Sequence, residues 1–493
     1  MTSFGDLLRS NGKLASLPWV LLFSSTIFLG AYFHIEFFAV ALSILISFVF
    51  VAYSNSTKRV WVSTCLWLLL FQNTMIGLGS HWGGNLSGDL SYLTQIPTLL
   101  IAVVFLASLI ASVRNNKENG GRFFSKWVLL LVATIAVLFF IGNAPVTSKL
   151  ISVRNLLMFY MAYEVAFTQC QKDGEYLNVL KQLSVVAVVA TVFGVIMMLQ
   201  DVSFWESIGI YEVYLAKQSP IEAGTLGGRF YTSLNGVTDV LRMGSFYYEP
   251  VNLAYLLLAG LLASCFLWRS KRTSVFFPML IAVGFILTFG KGGYMLLAFL
   301  ILVFFCNKAL SSLARTAGRD MRFLSYLICL IVIGTAAYLY YTLIGGPVRP
   351  HFWALEQTLS SIFANPVGYG LGMGGNMSIA GSDYSKGAES AIMTFAYQIG
   401  IFGVICVFMS LRDIAKQAPS GQSFSASIAY YIPLALFAVS ILQENTFSPQ
   451  CVFPMMVLTA CLQGFARFDD APIAQTCSSY SELNAAASHK DIK

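Results

Sequence analysis

Charged residues are scarce in this chain of 493 residues. Asp, Glu, Lys and Arg together make up 11% of the residues, whereas hydrophobic types make up 57%. A soluble domain usually carries about 25% charged residues, so the composition excludes a hidden soluble domain and predicts a polytopic membrane protein. The chain also lacks a GxxxxGK[ST] motif, so nothing in it indicates ATP hydrolysis.

The chain likewise has little that would bind a metal or form a disulfide. Its nine Cys residues include no CxxC pair and fall mostly within apolar runs, and there are only four His. The sequence therefore predicts neither a metal nor a cofactor. The net charge of +7 reflects orientation in a bilayer, as the distribution of the cations indicates below, and does not imply nucleic acid as a partner.

Long apolar runs dominate what is present. A membrane-spanning helix needs about 20 mostly apolar residues, and this length predicts an all-α protein with fourteen spans. The predicted spans lie near residues 15–31, 36–53, 60–78, 93–113, 127–142, 150–169, 183–200, 251–268, 275–289, 293–307, 323–344, 389–409, 425–443 and 451–466.

The cations divide unequally between the two sets of loops. Twenty-two of the 30 Lys and Arg residues fall in alternate loops, which by the positive-inside rule places both termini in the cytoplasm. The remaining eight lie on the opposite side or just inside its membrane boundary, and they need another explanation. They are Lys149, Arg154, Lys217, Arg229, Arg242, Lys291, Arg349 and Lys386.

The same pattern predicts the domain organisation. Residues 1–468 form a single transmembrane domain whose first helix is retained, because no small-residue cleavage site follows it. Residues 469–493 form a polar, Ser- and Ala-rich tail that we expect to be disordered. Two outer loops, 201–250 and 345–388, are far longer than the rest and rich in aromatic residues, a composition that suits either a membrane-interface belt or a carbohydrate site.

Ordered motifs occupy the second half of the chain. They are Arg242–Ala254, Arg349–Trp353, Asn365–Gly372 with its alternating glycines, and Glu389–Met393 followed by Gly400 and Gly403. In their order and spacing, over roughly residues 225–410, the chain resembles the superfamily of O-antigen polymerases and O-antigen ligases. These are bacterial membrane enzymes that move glycans from polyprenyl-pyrophosphate carriers, and the resemblance implies a comparable fold of the GT-C-like type.

One departure distinguishes the two branches. The ligases resemble one another in a His-Asn pair at the start of the late helix, but this chain has Glu389 and Ser390 at the positions aligned by Gly400 and Gly403. The resemblance therefore favours a polymerase and leaves the ligase as the alternative. It implies transfer of a growing glycan from undecaprenyl pyrophosphate to an incoming lipid-linked repeat unit at the outer leaflet of the inner membrane. It also implies a chain-length regulator as partner.

This chemistry selects the candidate residues. A departing diphosphate needs cations, for which the planar fork of Arg is well suited, and the attacking hydroxyl needs a base. Arg242 and Arg349 are the first candidates for the diphosphate, followed by Arg229, Lys291 and Arg154, the last of which could equally snorkel to the headgroups. Glu389 is the candidate base and Glu249 the second choice or a partner of Arg242, although either could simply stabilise a helix start. His351 and Tyr248 are candidate glycan contacts.

A transporter or flippase of lipid-linked oligosaccharides is the alternative from another class. Such proteins concentrate ionisable residues at mid-membrane depth. Here the buried ionisable positions are few, chiefly Arg154 and Glu164, and the polar residues concentrate in the outer loops. The sequence therefore favours an enzyme whose site lies between the two long loops and the outer ends of the sixth, eighth, ninth, tenth and twelfth spans.

Overall fold

A computed structural model describes residues 15–54, 60–84, 90–119, 125–170, 174–216, 226, 230–234, 237–313, 320–344, 349–375, 390–419 and 423–468. In this part of the chain nearly all regular structure is helical. The helices are α1 Leu17–Tyr32, α2 Glu36–Ser54, α3 Trp61–Gly83, α4 Ile96–Asn119, α5 Lys126–Phe139, α6 Val146–Cys170, α7 Glu175–Met198, α8 Val202–Ser207, α9 Ile210–Ala216, α10 Pro250–Arg269, α11 Phe276–Leu287, α12 Lys291–Leu313, α13 Arg322–Ile344, α14 Arg349–Ala364, α15 Ala391–Ala415, α16 Phe424–Ser440 and α17 Pro449–Phe468.

Each of the fourteen predicted spans coincides with one of these helices. Within the described ranges, nine helices are long and apolar enough to cross a membrane, and five shorter apolar helices accompany them. The chain is therefore an all-α, multi-pass membrane protein. Fourteen crossings, the cytoplasmic termini and the identity of the membrane remain predictions, and the tail 469–493 lies outside the described residues.

Helix α17 forms the centre of the bundle. Its span is 89% buried, and it packs against α6, α7, α10 and α16. Polar side chains within it find partners on neighbouring helices, since Gln463 accepts a hydrogen bond from Tyr163 at 2.6 Å and donates one to the carbonyl oxygen of Ile414 at 3.0 Å. Such interhelical hydrogen bonds suit a hydrocarbon environment that offers polar groups no water.

The first outer loop contains more structure than the sequence predicted. Helix α9 packs against α3, and the backbone at Gly209, just before α9, approaches Gly77 so closely that a Cβ at either position would clash. Strands β1 Tyr231–Leu234 and β2 Val237–Leu241 then form an antiparallel hairpin. The hairpin is a local departure from the all-α prediction, and its short strands lack a long alternating pattern that would have announced it.

Helix α15 is interrupted at Gly400, which adopts φ 69° and ψ −180°. The break is bridged by the second outer loop, since the backbone N–H of Tyr369 donates to the carbonyl of Tyr397 at 2.8 Å and Ile401 N–H donates to the carbonyl of Pro366 at 3.0 Å. The loop thereby satisfies backbone groups that the interruption removes from the helical ladder.

Candidate functional site

The segment between β2 and α10 lies within the bundle rather than on its surface. Ser245 donates its hydroxyl to the carbonyl oxygen of Ala190 in α7 at 2.7 Å, and Asn73 of α3 donates its amide to the carbonyl of Tyr247. Ala190 lies eight residues before the end of α7, which corresponds to about 12 Å along a helix at 1.5 Å per residue. The segment therefore lies between α3 and α7, with Ser245 about 12 Å along α7 from its C-terminal end.

Arg242 enters this segment and is held at two points. Its backbone N–H donates to the carbonyl of Phe230 at 2.8 Å, and its Nε donates to the carbonyl of Thr288, just after α11, at 3.1 Å. Burial lowers the pKa of the Arg242 guanidinium from its ordinary value, and the nearby carboxylate of Glu249 opposes this shift. The guanidinium stays charged.

Glu249 ends the same segment. It is 5% exposed and is the N-cap residue of α10, but its side chain makes no capping hydrogen bond with that helix. Stabilisation of the α10 start by the charge of this carboxylate, the ordinary role that the sequence left open, does not require such a bond and stays open. Its carboxylate interacts electrostatically with Arg242, and its role as a base or as a partner of Arg242 in the reaction stays a prediction.

Tyr248 precedes Glu249 in this segment, and its contacts are with other parts of the protein. The side chain is fully buried, its hydroxyl donates to the carbonyl of Ile208 at 2.9 Å, and its own carbonyl accepts a hydrogen bond from the hydroxyl of Tyr214. The residue also adopts φ 50°, a left-handed conformation. This geometry favours Tyr248 as a residue that positions the segment, and direct contact with glycan stays a prediction.

The remaining outer cations differ in their surroundings. Lys291 is exposed at the first residue of α12, three residues after the Thr288 carbonyl that holds Arg242. Lys149, in contrast, is 9% exposed and donates to the carbonyls of Phe139 at 2.9 Å and Gly142 at 3.0 Å. Lys149 therefore closes the C-terminal end of α5, a structural role that accounts for its position.

Arg154 lies deeper than the sequence suggested. Helix α6 begins at Val146 rather than at residue 150, so Arg154 is more than two turns inside it. Its Nη1 donates to Gln95 Oε1 at 3.0 Å and its Nε to Asn155 Oδ1 at 3.1 Å. A membrane-embedded cation whose partners among the described residues are amides is costly to maintain, which makes it a candidate for binding an anion.

Two neighbouring residues of α3 contact the surroundings of Arg154 and the Arg242 segment. Gln95 Nε2 donates to Thr94 Oγ1 at 3.1 Å, and Gln72 Nε2 donates to the carbonyl of Thr94 at 2.7 Å. The next residue of α3, Asn73, holds the carbonyl of Tyr247. Thus adjacent residues of α3 bond to the Thr94–Gln95 segment that contacts Arg154 and to the segment that carries Arg242.

The glycine-rich loop after α14 packs onto both neighbours. Gly370 adopts φ 100° and lies against the carbonyl of Ile141 in the turn between α5 and α6, while Gly372 lies against the start of α6. Gly375 approaches the carboxylate of Glu444, whose Oε1 would be 3.0 Å from a Cβ at this glycine. These glycines therefore make their close approaches to protein, at the turn between α5 and α6, the start of α6, the first turn of α15 and Glu444.

Four candidates lie wholly or partly outside the described residues. Glu389 and Arg229 fall outside them entirely. Arg349 and His351 are described only as backbone in the first turn of α14. Whether Glu389 and Arg349 meet Arg242 and Glu249 stays a prediction.

Sequence reasoning missed several polar residues beside this site. Asn252 of the Arg242–Ala254 motif donates to Gln450 Oε1 of α17 at 2.8 Å and accepts from the thiol of Cys451. Tyr255 and Thr446 share a hydrogen bond of 3.1 Å beside them. The partners are 198 residues apart in the first pair, so no local pattern could have revealed it.

Within the described ranges, no cluster of three or more His, Cys, Asp or Glu residues is arranged to hold a metal ion. The arrangement of cations and carboxylate can instead bind an anionic leaving group and accept a proton. No family model, curated protein or solved structure matches this chain, so the resemblance to the O-antigen polymerase and ligase superfamily stays a prediction.

Proposed function

We propose that this protein is a glycosyltransferase that polymerises lipid-linked oligosaccharide repeat units. The growing glycan moves from undecaprenyl pyrophosphate to a sugar of an incoming lipid-linked unit, at the outer leaflet of a bacterial inner membrane. The product is an O-antigen, a capsule or another exopolysaccharide, and a chain-length regulator is the expected protein partner. The motif order along residues 225–410 supports this proposal.

One observation carries the proposal. Arg242 and Glu249 belong to a single segment that descends into the bundle, and they interact electrostatically although Glu249 does not cap α10. A lipid-linked diphosphate lies near the headgroups, so a cation below the outer helix ends of the bundle can reach it. A neighbouring carboxylate can then reach the sugar that the diphosphate carries.

The residues divide the reaction as follows. The acceptor hydroxyl attacks the anomeric carbon of the donor sugar while the bond from that carbon to the pyrophosphate oxygen breaks. The hydroxyl proton passes to a carboxylate, for which Glu389 and Glu249 are the two candidates. Arg242, Arg349 and Lys291 stabilise the negative charge that develops on the departing diphosphate, with Arg229 and Arg154 as further cations.

The test is a reconstitution of the purified full chain in liposomes with undecaprenyl-pyrophosphate-linked repeat units, with and without lipid A core, and with products separated by size. A ladder of lengthening glycans without lipid A supports the polymerase. Glycan that appears only on lipid A would instead support the ligase alternative.

A lipid-linked oligosaccharide flippase is a second candidate, and the interruption of α15 at Gly400 favours it. Helices broken at membrane depth are characteristic of transporters, and at this break the second outer loop bonds to the backbone of Tyr397 and Ile401. In the same liposomes, movement of a labelled lipid-linked unit between leaflets without any new glycosidic bond would overturn the enzyme proposal in favour of this one.

A further inference from the structure

A second site lies at the opposite end of the bundle, which the charge pattern places in the cytoplasm. A cavity of about 770 Å³ opens between the last turns of α10 and α12 and the first turn of α16. Three cations line it, Arg269 and Arg272 from the end of α10 and the turn after it, and Lys308 from α12. All three side chains are exposed, so the cavity is accessible from the membrane surface.

The rest of the lining is suited to phosphate oxygens. Besides the cations, it consists of serine residues, Asn307 and phenylalanine rings, and no carboxylate is among the described residues that line it. Ser423 caps α16 by accepting a hydrogen bond from Ala426 N–H at 3.2 Å. The positive end of the α16 dipole therefore faces the cavity and adds to its preference for an anion.

An apolar cavity adjoins the first. It has a volume of about 440 Å³, and its lining includes Cys265, Trp268 and Lys271. The two cavities share Phe266, Phe424 and Arg269, whose guanidinium carbon lies 5.8 Å from the centre of the Phe424 ring. An amphiphile could thus place a charged group in the first cavity and a chain in the second.

The positive-inside rule by itself accounts for the presence of basic residues in this region. It does not explain why basic residues from different helices line the same cavity. Arg269 and Lys308 come from different helices and line one space together. Among the described residues neither makes an ion pair. Basic pockets between helices on the cytoplasmic side are sites at which the headgroups of anionic lipids bind.

We propose that this cavity binds a phosphate-bearing ligand, with an anionic phospholipid as its source. The phosphate lies between Arg269, Arg272 and Lys308, and an acyl chain follows the apolar cavity past Trp268. The proposal does not depend on the proposed function, because the cavity is at the other end of the bundle from Arg242 and Glu249.

The test measures lipid binding to the purified full chain by native mass spectrometry, with cardiolipin, phosphatidylglycerol and phosphatidylethanolamine as probes. We expect cardiolipin and phosphatidylglycerol to bind in preference to phosphatidylethanolamine. The double variant Arg269→Gln/Lys308→Gln should weaken their binding about tenfold or more, since each cation near a membrane surface contributes substantially. The matched control Lys181→Gln/Lys416→Gln removes two exposed cations on the same side, outside the cavity, and should leave binding unchanged.

A second variant addresses the cavity without removing a cation. Ser311→Glu places a carboxylate in the lining and should expel the anion, whereas Ser311→Gln, of similar size, should not. Inorganic phosphate and pyrophosphate are tested as competitors. Competition at micromolar concentration would support the phosphate site but identify a soluble phosphate, and not a phospholipid, as its ligand. Equal binding of all probes to wild type, the double variant and Ser311→Glu would overturn the proposal.

Discussion

Tyr369 and Tyr397 are joined twice, by a backbone hydrogen bond of 2.8 Å and by ring stacking with centroids 4.4 Å apart. Tyr369 belongs to the second outer loop and Tyr397 to α15, one turn before its interruption at Gly400. The loop is therefore part of the wall of the bundle at this point. A change in its backbone will act directly on the broken helix.

Gly400→Ala should destabilise the protein by about 3 kcal/mol, because the φ of 69° with ψ of −180° is a conformation essentially restricted to glycine. A Cβ there would also lie 2.2 Å from the carbonyl oxygen of Pro366. Thermal unfolding in detergent measures the effect. Gly334→Ala, at a position with open space around it, is the control, and equal unfolding temperatures for both variants would contradict the interpretation.

Substitutions at Arg242 and at Glu249 should reduce glycan synthesis for different reasons. Glu249→Gln removes a base and should reduce glycan synthesis on the order of 100-fold, provided that Glu249 rather than Glu389 accepts the proton. Arg242→Lys keeps the charge without the planar fork and should retain more activity than Arg242→Gln. The assay is the length ladder in liposomes at equal protein abundance.

The control for this series is Glu356→Gln, an exposed carboxylate of α14 in the second outer loop. It should polymerise like wild type. If Glu249→Gln is fully active and Glu389→Gln is inactive, the base is Glu389. If both variants are fully active, neither carboxylate acts as the base.

Substitutions of Lys149 and Lys291 should have different effects, because Lys149 has a structural role and Lys291 is proposed to have a functional one. Lys149→Gln leaves the carbonyls of Phe139 and Gly142 without their donor and should cost about 1–3 kcal/mol in stability, with little change in turnover per folded molecule. Lys291→Gln removes an exposed charge and should leave the unfolding temperature unchanged while weakening synthesis. Parallel melting curves and synthesis rates measure both, and the reverse pattern would refute the assignment.

Acid should weaken the contact between Arg322, the first residue of α13, and Asp320, two residues before it. Asp320 is half-exposed and lies 2.7 Å from Arg322 Nη2. Burial raises the pKa of this carboxyl, but the hydrogen bonds and charge of Arg322 outweigh it, so the net pKa lies below the ordinary 3.8. A lowered folded-state pKa means that the stabilisation is complete above the ordinary value and is lost as pH falls through the lowered one.

The unfolding temperature of wild type should therefore fall more than that of Asp320→Asn as the pH falls below about 3.8. The effect should be small, because Asp320 is half-exposed and solvent screens the pair. Parallel pH slopes for the two proteins in thermal unfolding would show that the pair contributes nothing.

The positions of the helices could be predicted from the sequence because a bilayer imposes a length and a composition on every crossing segment. Each predicted span corresponds to a helix, with ends displaced by several residues, as at Val146 of α6. The hairpin at β1 and β2 could not be predicted, because its short strands carry no distinctive period. The motif at Arg242–Ala254 could be read from the sequence, but the packing of this segment between α3 and α7 could not.

Sequence alone thus determined the class of the protein, its helices and the few cations that orientation does not explain, since each depends on local composition. Only the tertiary structure decided how those cations differ. It engaged Lys149 with two carbonyls, brought Glu249 beside Arg242 and connected Arg154 to amides of another segment. Contacts between residues distant in sequence, such as Asn252 with Gln450, depend on helix packing, and helix packing leaves no periodic pattern in the chain.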